Sequence, residues 1–132
     1  MLHHISLGVS DIERSAAFYD AVLAPIGYVR VWDDLRPGED DQAVGYGVAG
    51  GGDKLAIKLS RRGRRPPGPG FHLAFAAPDR QSVARFHAAA LAHGGKDNGA
   101  PGLRAHYGPH YYAAFVADPD GHHIEAVFNA PP

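Results

Sequence analysis

Two stretches decide how this chain reads: His4-Ile5-Ser6-Leu7-Gly8-Val9 and, at an offset of 68 residues, His72-Leu73-Ala74-Phe75-Ala76-Ala77. Each opens on histidine and then alternates along the backbone, the two-residue period of a half-buried strand. At the same offset Asp11 falls on Asp79, Phe18 on Phe86, Val22 on Ala90 and Gly27 on Gly95. Later in each half, Asp53-Lys54-Leu55-Ala56-Ile57-Lys58 lies over Asp120-Gly121-His122-His123-Ile124-Glu125 at an offset of 67, one residue of slippage. Both blocks in the same order imply an internal duplication, which governs every later inference about the fold.

The halves span 1–60 and 71–132 of one domain covering 1–132. The basic, Pro/Gly-rich and aperiodic stretch 61–70 reads as the linker between them. Within the first half, Ser10 or Asp11 can cap a helix, because their side-chain oxygens accept from the unpaired amides of its first turn. That helix runs to about Leu23 with Ala17, Phe18, Val22 and Tyr19 inward, and Pro25 with Gly27 stops it. In the second half Pro78-Asp79 opens a helix through Ala92, with Val83, Phe86, Ala90 and Leu91 inward. Gly94-Gly95 ends it. Further strands are expected near 27–33, 43–49, 54–60, 110–117 and 122–128, and 33–41 as a loop. Each half therefore reads as β-α-β-β-β. The fold class is α+β: two tandem βαβββ modules forming a curved mixed sheet, helices on its outer face, with a concave cup on the other.

Composition limits the function. With 13 basic and 14 acidic residues in 132, the net charge of -1 gives no electrostatic case for nucleic acid or an anionic membrane. No apolar run reaches the roughly 20 residues of a membrane span. The start, Met-Leu-His-His-Ile-Ser, lacks the features of a secretory leader, so a cytoplasmic location is expected. The absence of cysteine excludes disulfides, thiolate metal sites and cysteine nucleophiles. Nine histidines are the unusual number, and they lead to the chemistry.

Residues two apart on a strand share a face. Ile5, Leu7 and Val9 oppose His4, Ser6 and Gly8; Phe71, Leu73 and Phe75 oppose His72, Ala74 and Ala76. Ile124, Ala126 and Phe128 oppose His123, Glu125 and Val127. Packing the apolar faces on the helices leaves His4, His72 and Glu125 on the opposite, concave face. Strand 54–60 agrees, with Leu55, Ile57 and Leu59 on one side and Lys58 on the other. Two imidazoles and a carboxylate can hold one divalent ion and leave positions free for substrate. Iron, manganese, nickel, cobalt or zinc would suit such donors. For each histidine alone, an ordinary hydrogen-bonded role is the competing reading.

These motifs resemble the vicinal-oxygen-chelate superfamily, which includes glyoxalase I, extradiol dioxygenases, fosfomycin-modifying enzymes and bleomycin-resistance proteins. The resemblance rests on His4 through Asp11 with Ser15-Ala16-Ala17-Phe18-Tyr19, on Phe71-His72-Leu73-Ala74-Phe75, and above all on Asp118-Pro119-Asp120-Gly121-His122-His123-Ile124-Glu125. It implies paired βαβββ modules, His4, His72 and Glu125 as metal ligands, and a homodimer. His3 is the register-shifted alternative to His4. Glyoxalase I enzymes have a fourth ligand, usually Glu, where the repeat places Lys58, and a protonated ammonium cannot ligate. Extradiol dioxygenases carry a tyrosine ten residues before the ligand Glu, where this chain has Phe115, and a histidine that His106 could match.

The leading expectation is thus a metal-dependent enzyme acting on a small oxygen-rich substrate that chelates the ion, of isomerase/lyase or ring-cleaving dioxygenase type. Lys58, His106 and Tyr107 are the candidates for moving protons or orienting substrate. Arg104 could hold an anionic group. For Tyr111 and Tyr112, packing on opposite sheet faces is the expected role; His123 is expected beside the metal ligands and His122 exposed. The alternative is a metal-independent, bleomycin-resistance-like binding protein. Trp32, the one tryptophan available for stacking, reads instead as a core or interface residue.

Overall fold

Hydrophobic alternation and two capped helices produce the same order of elements twice. The computed structural model describes residues 1–63 and 66–132, so Arg64 and Arg65 of the expected linker lie outside the described residues. The first module runs β1 (Ile5–Val9), α1 (Ile12–Leu23), β2 (Val29–Asp34), β3 (Ala43–Gly47) and β4 (Leu55–Leu59). A 3-10 turn, Ala24–Ile26, follows α1. The second module runs β5 (Leu73–Ala76), α2 (Arg80–Ala92), β6 (Lys96–Leu103), β7 (Tyr111–Ala117) and β8 (His123–Asn129). Each module closes its own four-stranded mixed sheet, in the orders β1-β4-β3-β2 and β5-β8-β7-β6. In each, the first strand pairs in parallel with the last and the remaining pairings are antiparallel.

The caps explain where the helices start. Asp11 accepts from the Arg14 amide at 3.1 Å and Asp79 from the Ser82 amide at 2.7 Å, satisfying first-turn donors that have no partner inside the helix. Phe18, Val22, Val83, Phe86 and Ala90 turn inward as expected and join Leu7, Val9, Val44, Ile57, Val116 and Ile124 in one shared core. Ala17 and Leu91 were expected there but face solvent. Each lies at the edge of its helix's apolar stripe; Ile12, Ser15, Ala16 and Leu23 in α1 and Ser82 in α2 complete the buried arcs instead.

β6 is the strand that pattern alone does not announce. Lys-Asp-Asn-Gly-Ala-Pro-Gly-Leu is polar and carries both Pro101 and glycines. It is an edge strand, and its register against β7 shifts twice. An edge tolerates a residue without an amide proton, and irregular pairing of this kind discourages association with other strands.

A loop of the second module fastens the two modules together. In the turn before β8, Asp118 Oδ1 accepts from the amides of Asp120 and His122, each at 2.9 Å, while Oδ2 accepts from the Tyr19 hydroxyl of α1 at 2.6 Å. Asp120 accepts from the Ser10 amide and hydroxyl. His122 Nε2 donates to the Gly8 carbonyl at 2.7 Å. His122 is therefore 1% exposed, not the surface residue expected from its place beside a turn.

Candidate metal centre

The strand register sets which residues can meet on the open faces. β5 pairs with β8 so that Ala74 lies opposite Glu125, and β7 pairs with β8 so that Phe115 lies opposite Glu125. His72, just before β5, is on the same side of the chain as Ala74. Its Nε2 stands 2.9 Å from Glu125 Oε1, with the imidazole about half exposed (52%) and the carboxylate buried (1%). Glu125 Oε2 accepts from the Tyr111 hydroxyl at 2.7 Å. Burial and the neighbouring carboxylate push the Tyr111 phenol up to about 12, so it remains a donor at neutral pH.

These groups border a hollow of about 360 Å³, lined by Phe71, His72, Asn98, Tyr107, Phe115 and Glu125 among others. Tyr107 packs its ring 5.1 Å from that of Tyr111, and the His106 ring lies tilted against Tyr107 with centroids 4.1 Å apart. Of the three residues proposed from sequence to move protons, Tyr107 lines the hollow, and His106 is exposed beside it. Lys58 lies in the other sheet, opposite Gly8 on β1. His123 lines the hollow, as its place in the strand predicts. Arg104 serves the backbone: it donates to the Ala100 and Gly102 carbonyls and lies over the Phe115 ring at 5.3 Å. Tyr112 points to the helix side, beneath Arg80.

His4 does not join His72 and Glu125 within the chain. It is exposed, and its Nδ1 lies 2.9 Å from that of His3. Among the described residues, no three His, Cys, Asp or Glu side chains converge closely enough to hold an ion. The pair that does converge nonetheless fits a divalent cation. Glu125 is a carboxylate removed from water, and among the described residues the basic group paired with it is a single imidazole. Burying an anion without full compensation is costly, and a cation bound by these donors would supply the missing charge.

The register also corrects the fourth position. Ile5 pairs with Leu55 as Leu73 pairs with Ile124, which makes Ala56, not Lys58, the counterpart of Glu125. The sequence alignment at an offset of 67 missed this because two positions along a strand return to the same face. Ala56 is buried, and Gly45 opposite it lies against Trp32, where a Cβ would overlap the indole. Trp32 therefore lies across the open face of the first sheet, 38% exposed, rather than in the core.

Paired βαβββ modules with a histidine and a buried carboxylate on one open face define a class of small-molecule and metal-binding folds. The chain belongs to the Glyoxalase/Bleomycin resistance protein/Dioxygenase superfamily, whose family model matches residues 1–126. It is similar to a glyoxalase/bleomycin resistance protein from Albidiferax ferrireducens T118, with 29% identity, 96% of this chain and 97% of that chain covered, and a TM-score of 0.72. A glyoxalase-related enzyme from Fulvimarina pelagi shares 27% identity over 98% of this chain and 88% of that one, with a TM-score of 0.71. A glyoxalase I variant from Zea mays shares the fold, with a TM-score of 0.74, at 23% identity; 96% of this chain covers 45% of that one. No curated protein sequence matches the chain significantly.

Proposed function

We propose that the protein is a metal-dependent enzyme acting on a small substrate that chelates the ion through adjacent oxygens, of isomerase/lyase or ring-cleaving type. The observation that carries this reading is the buried Glu125 carboxylate with His72 Nε2 at 2.9 Å in a hollow of about 360 Å³. His4, exposed on the other module, is the third ligand. Because it stands apart from the pair in one chain, we assign it to the site of a second copy in a homodimer: His4 from one subunit, His72 and Glu125 from the other. A divalent ion of the iron, manganese, nickel, cobalt or zinc type would supply Lewis-acid stabilisation of charge on a substrate oxygen. The chain's own residues bind and enclose. Phe71, Tyr107 and Phe115 form an apolar wall that limits water, while Asn98 and His123 offer polar groups to the substrate.

One experiment tests ligands and assembly together. Loaded anaerobically, the wild type should bind one ion per subunit, and His4→Ala and His72→Ala should each bind more than about 100-fold more weakly, since losing even an outer partner costs about 10- to 100-fold. Co-expressed, the two variants should form mixed dimers in which one site per dimer is intact and binds normally. Failure of the wild type to take up any of these metals sinks the reading. Uptake without recovery in the mixed dimer places the site within one chain.

The exposed indole of Trp32 on the first sheet's open face favours a second reading, binding of a flat ligand without metal. Tight ligand binding in the presence of a chelator would support it over the first.

A further inference from the structure

Tyr111 has no part in the three-ligand set, yet it makes the shortest hydrogen bond to Glu125. We propose that Tyr111 is a positioning residue that holds Glu125 Oε2, so that the carboxylate offers Oε1 alone to the ion. This rests on the metal-site reading given above.

The geometry is specific. Tyr111 is opposite Asn129 and Phe115 is opposite Glu125, so Tyr111 starts four residues along the strand from the carboxylate it reaches. Its ring must therefore lean along the sheet past position 113. That residue is Ala113, fully buried, whose methyl leaves room where a larger side chain would block the path. The Tyr107 ring lies against the Tyr111 ring, with centroids 5.1 Å apart. The two carboxylate oxygens are thus already distinguished: Oε2 faces the phenol, and Oε1 faces His72 Nε2, the other proposed ligand atom. A donor on one carboxylate oxygen draws charge toward that oxygen and fixes the plane of the group, the usual effect of an outer partner on a metal-binding carboxylate. With the carboxylate buried, such a bond is also stronger than at the surface.

Cobalt(II) titration of the full-length protein tests this by affinity and by visible absorption. Tyr111→Phe should bind cobalt(II) about tenfold more weakly than wild type, the lower end of the range for losing an outer partner. Its visible bands should lose intensity as the freed carboxylate closes on the ion with both oxygens and raises the coordination number. Tyr112→Phe, at the next position of the same strand but on the helix side, should match wild type in both readouts. Should Tyr111→Phe fold poorly, Ala113→Val keeps the phenol but blocks its path and should weaken binding in the same way. Wild-type affinity and spectrum in both Tyr111→Phe and Ala113→Val would overturn the assignment while leaving the metal site standing. A folded wild type that binds no cobalt(II) removes the metal-site reading itself and this inference with it.

Discussion

The open faces of the two modules place different chemistry at matching positions. In the second, Glu125 sits between Ala74 and Phe115; in the first, Ala56 sits between Ser6 and Gly45. Each face also holds one aromatic ring against a glycine, but from exchanged strands. Phe115 on the central strand β7 faces Gly99 on edge strand β6, whereas Trp32 on edge strand β2 faces Gly45 on β3. One module carries the carboxylate beside an open hollow; the other has a methyl at that place, under the cover of an indole. The first sheet thus has no carboxylate at the place that matches Glu125, which bears on the proposed ligand set. The fourth place is apolar, and the nearby lysine does not decide the matter.

The helix sides should prove equivalent where the open faces are not. Phe18 and Phe86 occupy matching positions, and both are fully buried in the shared core. Phe18→Ala and Phe86→Ala should each cost about 3–5 kcal/mol of stability, from lost transfer energy plus the cavity left behind. Leu91→Ala, at a residue 46% exposed, should fall within about 0.5 kcal/mol of wild type. Urea unfolding measures all three. A loss at Phe18 less than half that at Phe86 would break the equivalence of the modules.

That equivalence was legible in the sequence because it rests on period and caps. Alternation gave the faces of β1, β5 and β8, and Ser10-Asp11 and Pro78-Asp79 marked the helix starts, with Asp11 and Asp79 as the caps. Most of what could not be read depends on how strands and turns pair and dock, not on the pattern within one strand. Lys58 was matched to Glu125 because a shift of two residues keeps the same face, and only the pairing of β1 with β4 selects Ala56. Tyr111 reaches Glu125 by leaning over Ala113, a contact across β7 and β8 that no spacing encodes. His122 is buried because the turn docks on β1 of the other module. β6 lacked strand composition because an edge does not require it.

The two aromatic-glycine contacts should respond unequally to one added methyl. Gly99 has φ +149°, and a Cβ there would meet both Phe115 and the Arg104 guanidinium at 3.0 and 3.1 Å. Gly99→Ala combines backbone strain with crowding and should cost about 1–3 kcal/mol. At Gly45 the obstacle is a partly exposed indole that can swing outward, so Gly45→Ala should cost about 1 kcal/mol or less. Trp32 is the only tryptophan, so its emission should move to longer wavelength in Gly45→Ala as the indole enters water. An unchanged spectrum would show that the indole does not rest on Gly45.

The smallest effect concerns the turns. In the second module the turn before the last strand carries the buried Asp118; the matching turn of the first, residues 48–54, carries only Asp53, which is half-buried and aligns with Asp120. Burial raises the Asp118 pKa above its ordinary value, against the opposing hydrogen bonds from Tyr19, His122 and Asp120. A carboxyl whose folded pKa is raised contributes stability below its unfolded pKa of about 3.9, and loses that contribution as pH rises through the folded value. Asn at this position can still accept from the two turn amides and can donate to the Tyr19 oxygen, without a charge to desolvate. Wild-type stability should therefore fall relative to Asp118→Asn as pH rises from about 4, then stay level once the carboxyl is ionised. The reverse slope would mean that the three hydrogen bonds outweigh burial and that the clasp between the modules draws its strength from the ionised form.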